Sequence, residues 1–242
     1  MKLSDHKILI TGGNKGIGLA LAKRFVILGN RVIVTGRNPI DLKQAKQDVP
    51  GLITCSCDLT VSEDVERLVR WIQQEHADLN VLVNNAGVQY NYKFATASEI
   101  DDKIVKEITT NFLAPIQLTA ALLPTLRQNA TPAIVNVSSG LALVPKQSAP
   151  VYCGTKAGLH IFTKALRYQL PGIRVFEIIP PLVDTAMTRG RGRGKLSPEQ
   201  LVDEFIRAFR KDKHEINIGK VKLLRWINRV SPSLADKIMR NG

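Results

Sequence analysis

Short apolar runs rich in Val and Ile recur along the chain: KILIT (7–11), RVIVT (31–35), LITC (52–55), VLVN (81–84), AIVNVS (133–138) and IRVFEII (173–179). Their apolar residues are consecutive rather than alternate, as in strands of a parallel sheet buried on both faces. Between them lie longer segments with helical spacing, such as GIGLALAKRFVILG (16–29) and SEDVERLVRWIQQEH (62–76). The second opens on Ser62, an expected N-cap, with Glu63 and Asp64 in the first turn, where acids complement the helix dipole. This alternation predicts an α/β fold, a doubly wound parallel sheet with helices on both faces. No repeat or linker divides the chain, so residues 1–242 read as a single domain.

Composition agrees with a packed domain. At 44% hydrophobic and 23% charged over 242 residues, the chain can bury a core, which excludes disorder as a whole. Cys55, Cys57 and Cys153 are too few and too irregular for a disulfide framework or a four-ligand zinc site, so free thiols and no metal are expected. Asp5, His6 and Lys7 interrupt the N-terminus where a signal peptide needs an apolar run, and no apolar stretch approaches membrane-spanning length, so a cytoplasmic protein is expected. The net charge of +13 is uneven: residues 189–242 hold 14 Lys/Arg against 6 Asp/Glu, or +8. Any affinity for polyanions belongs to that end.

Candidate chemistry begins after the first strand, in TGGNKGIG. Gly12, Gly16 and Gly18 open a helix there, where a tight turn lets a pyrophosphate approach the helix N-terminus; a plain β–α turn is the alternative. The second strand ends VIVTGRN. Gly36 stands where an NAD site offers a carboxylate, Arg37 follows, and Lys15 lies within the glycine turn. Two cations without an acid favour NADPH, unless they are only solvated surface charges.

Further on, a helix is expected to begin near Pro150 and to carry Tyr152 and Lys156 four positions apart on one face. An ammonium beside the phenol lowers its pKa and makes a proton donor, although such a pair is commonly a surface pair. Ser139, thirteen positions before the tyrosine, ends the fifth strand, where its hydroxyl either polarises a substrate carbonyl or caps the strand; Ser138 is the less favoured candidate.

Together these motifs resemble the short-chain dehydrogenase/reductase family and its Rossmann fold. The matching residues are Thr11 to Gly18, Asp58-Leu59, Asn84 to Gly87, Asn111, Ser139, Tyr152 with Lys156, and Pro180, Val183 and Thr185, in family order. The resemblance implies that Gly12, Asn14, Gly16, Ile17 and Gly18 hold the pyrophosphate side, Asp58 and Leu59 the adenine, and Asn85, Ala86 and Gly87 the ribose region. Val183 and Thr185 join the cofactor contacts, with Tyr152 and Lys156, and Asn111, Ser139, Tyr152 and Lys156 form a catalytic tetrad. Two departures stand out. Pro181 replaces the usual glycine, and IIPPLVDTAM resembles the DltE-like branch of bacterial oxidoreductases. Pro115 has no N–H for the Asn111 carbonyl, which the family uses to hold a relay water; an ordinary proline kink is the other reading.

Within this resemblance RGRGRGK falls in a flap at about 184–197 over the site, its glycines giving mobility and its cations attracting anions; a solvated loop or nucleic-acid contact are lesser readings. The tail at about 219–242 is expected as a basic amphipathic helix with Trp226 and Leu223/Leu224 on its apolar side, packed on the domain or a second subunit rather than on a membrane. The expectation is an NADP(H)-dependent reductase of a small ketone or aldehyde, acting as a homodimer or homotetramer without nucleic-acid or membrane partners. The alternative is a non-enzymatic NADPH-binding sensor or scaffold.

Overall fold

The computed structural model describes residues 1–96 and 99–240; Asn241 and Gly242, at the end of the predicted tail, lie outside the described residues. In chain order the elements are β1 (Lys7–Ile10), α1 (Gly16–Ile27), β2 (Arg31–Gly36), α2 (Pro39–Asp48), β3 (Ile53–Ser56), α3 (Ser62–Glu75), β4 (Val81–Asn84), α4 (Asp101–Ile108), α5 (Ala114–Arg127), β5 (Ala133–Val137), α6 (Pro150–Gln169), β6 (Arg174–Ile179), α7 (Pro198–Arg210), β7 (Glu215–Asn217), α8 (Val221–Val230) and α9 (Pro232–Met239). The strands form one parallel sheet in the order β3-β2-β1-β4-β5-β6-β7. The connections reverse direction between β1 and β4, leaving a crevice at the carboxyl ends of these strands.

The consecutive apolar residues have the predicted cause. Ile8 and Ile10 of β1 and Val32 and Val34 of β2 face one layer with Phe25 of α1 and Phe205 and Phe209 of α7. Leu9 and Ile33 face the opposite layer with Leu68 and Ile72 of α3 and Leu118 and Leu122 of α5. Phe25 meets Phe205 and Phe209 edge-on at centroid distances of 6.2 and 6.1 Å, so α7 is locked onto α1 by aromatic packing.

Four local expectations need correction. The third strand is shifted to Ile53–Ser56 and is not buried on both faces, because it is the sheet edge. The first long helix ends at Ile27, before Gly29, which takes φ +83°. Ser62 is the first helical residue of α3 rather than its cap: Val61 occupies that position, and Asp64 of the first turn accepts instead from the Asp58 N–H at 2.8 Å. The tail is two helices, broken at Ser231-Pro232, with different inward residues. Val221 and Leu224 are buried, whereas Trp226 is 63% and Leu223 59% exposed. Apolar residues lie on two stripes of α8, and it is the stripe of Leu224 and Ile227 that packs with Val144.

Candidate active site

One cavity of about 1360 Å³ opens along the sheet crevice, bordered by the glycine turn at one end and by Ser139, Tyr152 and Lys156 at the other. Of the residues expected in the site, Gly12, Asn14, Lys15, Gly16, Ile17, Arg37, Asp58, Leu59, Asn85, Ala86, Gly87, Val183 and Thr185 also border it. Gly18 and Asn111 do not; they support its walls.

The glycines have separate reasons. Gly12 and Gly16 take φ +61° and +52°, in the left-handed region that favours glycine. Gly18 is a matter of close approach: a Cβ there would lie 2.3 Å from the Gly12 carbonyl oxygen and 2.5 Å from Asn85 Nδ2. That amide donates to the carbonyls of Thr11 (2.9 Å) and Gly12 (3.1 Å), while the Thr11 hydroxyl accepts from the N–H groups of Asn85 and Ala86. The Asn85 side chain, expected in the ribose region, therefore ties β4 to the turn. Asp58 likewise bends its own loop, accepting from the Thr60 N–H and hydroxyl at 2.9 and 2.8 Å.

At the far end, the two expected cations differ. Lys15 pairs with Asp41 of α2 at 2.7 Å, whereas Arg37 is exposed and has no ion pair among the described residues. Asp41 was not legible as a site residue. Gly36 also has a local cause: a Cβ would lie 2.7 Å from the Asn14 side chain, so a carboxylate fits there only if Asn14 moves.

Tyr152 and Lys156 share one face of α6, which begins at Pro150 as expected. Lys156 Nζ lies 5.8 Å from the Tyr152 ring centroid and donates to the Val137 carbonyl at 2.8 Å. Burial dominates both groups. It pushes the phenol up to about 12, with the Ser139 hydroxyl pulling down, and draws the ammonium down to about 8, with buried Glu177 pulling up. The downward pull of the ammonium on the phenol, expected from sequence, does not govern this arrangement. Tyr152 is thus a neutral phenol at physiological pH. Both serines border the cavity, but Ser139 Oγ accepts from the Leu141 N–H at 3.1 Å, whereas the Ser138 hydroxyl is committed to buried Glu177 at 2.5 Å.

Asn111 is fully buried and acts on backbone. Its side chain accepts from the Val88 N–H at 2.8 Å and donates to the Val88 carbonyl at 2.8 Å and to Thr155 at 3.2 Å, joining the loop after β4 to α6. It is a positioning residue here. Its backbone lies in a widened π-type turn over Thr109–Leu113 directly before α5, with Pro115 in the first turn of that helix.

Arg191, Gly192 and Arg193 of the Arg-Gly segment border the cavity. Gly190, Gly192 and Gly194 all take positive φ, at +74°, +55° and +64°, so the alternating glycines shape the loop. Its base is closed by a bridge between Val183 and Leu196 and by Lys195 against Asp184 at 3.2 Å. Thr185 lies over the glycine turn, its methyl 3.0 Å from where a Gly16 Cβ would be. The three arginines are not equivalent: Arg189 and Arg193 are exposed, and Arg191 turns inward, half-buried. Lys146, also at the cavity, and the wall formed by α8 and α9 carried no motif that could reveal them.

Comparison with known proteins follows the same path. A family model described as short chain dehydrogenase matches residues 6–195. An uncharacterized oxidoreductase, DltE of Bacillus subtilis, is 42% identical over 95% of this chain and 94% of its own. A short chain dehydrogenase from Burkholderia cenocepacia, solved with NADP, superposes with a TM-score of 0.87 at 24% identity over the whole of both chains. One from Burkholderia phymatum, solved with NAD, gives 0.82 at 18% identity over 95% of this chain and 96% of its own. The last two are likenesses of fold. The family match and the relative in Bacillus subtilis decide the matter: this chain is an oxidoreductase of the short-chain dehydrogenase family.

Proposed function

We propose that the protein reduces a ketone or aldehyde to an alcohol, with NADPH as the hydride source. The observation that carries this reading is the placing of Ser139, Tyr152 and Lys156 on the same cavity as the glycine turn. A dinucleotide fits the residues present. Gly12 and Gly16 of the glycine turn bring their backbone to the cavity, and Arg37 is available at the far end, where a side chain in place of Gly36 would meet Asn14. Solved proteins of the same fold bind NADP or NAD, and Arg37 favours the former.

The cofactor supplies the hydride. The Ser139 hydroxyl donates to the carbonyl oxygen and stabilises charge developing there. The Tyr152 hydroxyl, a donor throughout the physiological range, delivers the proton to that oxygen. Lys156, whose ammonium burial draws down to about 8, would hold the cofactor ribose and would favour the phenolate left behind. Asn111 holds Val88 and Thr155, fixing the loop after β4 against α6. The test is a panel of ketones, aldehydes and diketones with NADPH or NADH, following loss of reduced nicotinamide absorbance. Turnover of at least one carbonyl with NADPH preferred supports the reading; none consumed, or NADH preferred, overturns it.

A further inference from the structure

Resting on that reading, we propose that the substrate is an oxo acid with an aliphatic arm, whose carboxylate is held by Arg191 of the flap and Lys146 while its carbonyl meets Tyr152. Two cations border the catalytic end of the cavity without a counter-charge. Arg191 Nη1 is buried and has no hydrogen-bond partner among the described residues, and Nη2 reaches only the Gln89 carbonyl at 3.5 Å, the limit of a hydrogen bond. A guanidinium nitrogen buried without a partner is expensive unless a ligand completes it.

Lys146 is half-buried at the same cavity and forms no ion pair among the described residues. Burial lowers its pKa, and the charge of Arg191 lowers it further, so the two cations share one field. The same arginine favours the Tyr152 phenolate, which puts it within electrostatic reach of the reacting oxygen. Glu107, a buried acid, is committed elsewhere: it accepts from the Tyr90 N–H at 2.9 Å and the Tyr92 hydroxyl at 3.1 Å, and its pKa is raised by burial. An anion bound between the two cations answers both deficits, and a planar carboxylate matches the guanidinium fork.

The aliphatic arm follows from the apolar lining of the same cavity. Leu224 and Ile227 of α8, Ile238 and Met239 of α9, and Met187 line the cavity that Tyr152 also borders. This apolar surface accepts a hydrocarbon chain.

The test titrates octanoate and octanamide by calorimetry into protein saturated with NADP+, in wild type, Arg191→Gln, Lys146→Gln and Arg189→Gln. Octanoate should bind at least tenfold more tightly than octanamide. Arg191→Gln and Lys146→Gln should each cut that preference at least threefold, whereas Arg189→Gln, a change on the exposed part of the flap, should keep it. A kinetic arm compares kcat/KM for aliphatic oxo acids and their amides with NADPH, expecting the same tenfold ratio and the same ranking of variants. No preference for octanoate, or a preference insensitive to Arg191, overturns the carboxylate site. Arg191-dependent octanoate binding with no carbonyl consumed keeps this site and overturns the carbonyl-reductase reading instead.

Discussion

NADPH selectivity should reside in Arg37 rather than in Lys15, and the Lys15–Asp41 pair supplies the reason. Replacing Arg37 by Ala removes an exposed guanidinium with no other ion partner among the described residues. A charge-assisted hydrogen bond contributes about 1.5–3 kcal/mol, and exposure places Arg37 at the lower end, so NADPH affinity should fall roughly tenfold while NADH affinity stays within about twofold. Lys15 starts from a different position, since its ammonium already rests on Asp41 at 2.7 Å. Turning toward a 2′-phosphate forfeits part of an exposed ion pair worth about 0–1 kcal/mol, and Asp41 repels the phosphate. Lys15→Ala should therefore weaken NADPH less than about threefold. Asp41→Asn should release the ammonium and tighten NADPH by about threefold or more, an effect lost in the Lys15→Ala background. Fluorescence titration of both cofactors against the four proteins and the double variant measures all of this, and the differences should shrink as salt screens them. If Lys15→Ala weakens NADPH more than Arg37→Ala, or Asp41→Asn weakens it, the assignment of charges at this end of the cavity is wrong.

Gly18→Ala should destabilise the protein by about 2–4 kcal/mol in urea and abolish NADPH binding, because the new methyl group would meet the Gly12 carbonyl and Asn85 amide; a change under about 0.5 kcal/mol would mean that α1 shifts freely. Tyr152→Phe should lose turnover by about two orders of magnitude or more while keeping NADPH affinity, since only the proton donor is removed; a variant retaining most of its activity would exclude Tyr152 as the acid. Burial holds Lys156 at about 8 against an ordinary value of 10.5, so between these pH values the unfolded chain carries the extra proton and stability rises with pH. Measured from pH 7 to 10 without cofactor, wild type should gain up to about 3 kcal/mol relative to Lys156→Met; a pH-independent difference would show that the ammonium is not desolvated.

Some of this molecule is determined by the sequence alone, because the responsible physics is local. Consecutive Val and Ile residues in β1, β2 and β4 mark strands covered on both sides, and Gly12 and Gly16 take left-handed backbone inside a turn of eight residues. Tyr152 and Lys156 share a face because any helix brings residues four apart together. Where a feature depends on what arrives from elsewhere in the chain, sequence spacing is silent. Asp41 neutralises Lys15 only because α2 folds beside the glycine turn, and Glu177 of β6 claims the hydroxyl of Ser138 but not that of Ser139. The same holds for the tail, where Leu224 turns inward and Trp226 outward because one stripe of α8 meets Val144. Among three arginines in near-identical RG steps, the path of the flap buries the guanidinium of Arg191 alone in part. Burial and the electric field at a group are sums over distant atoms, so the pKa values of Tyr152 and Lys156, and with them the direction in which a proton is ready to move, come from the tertiary structure.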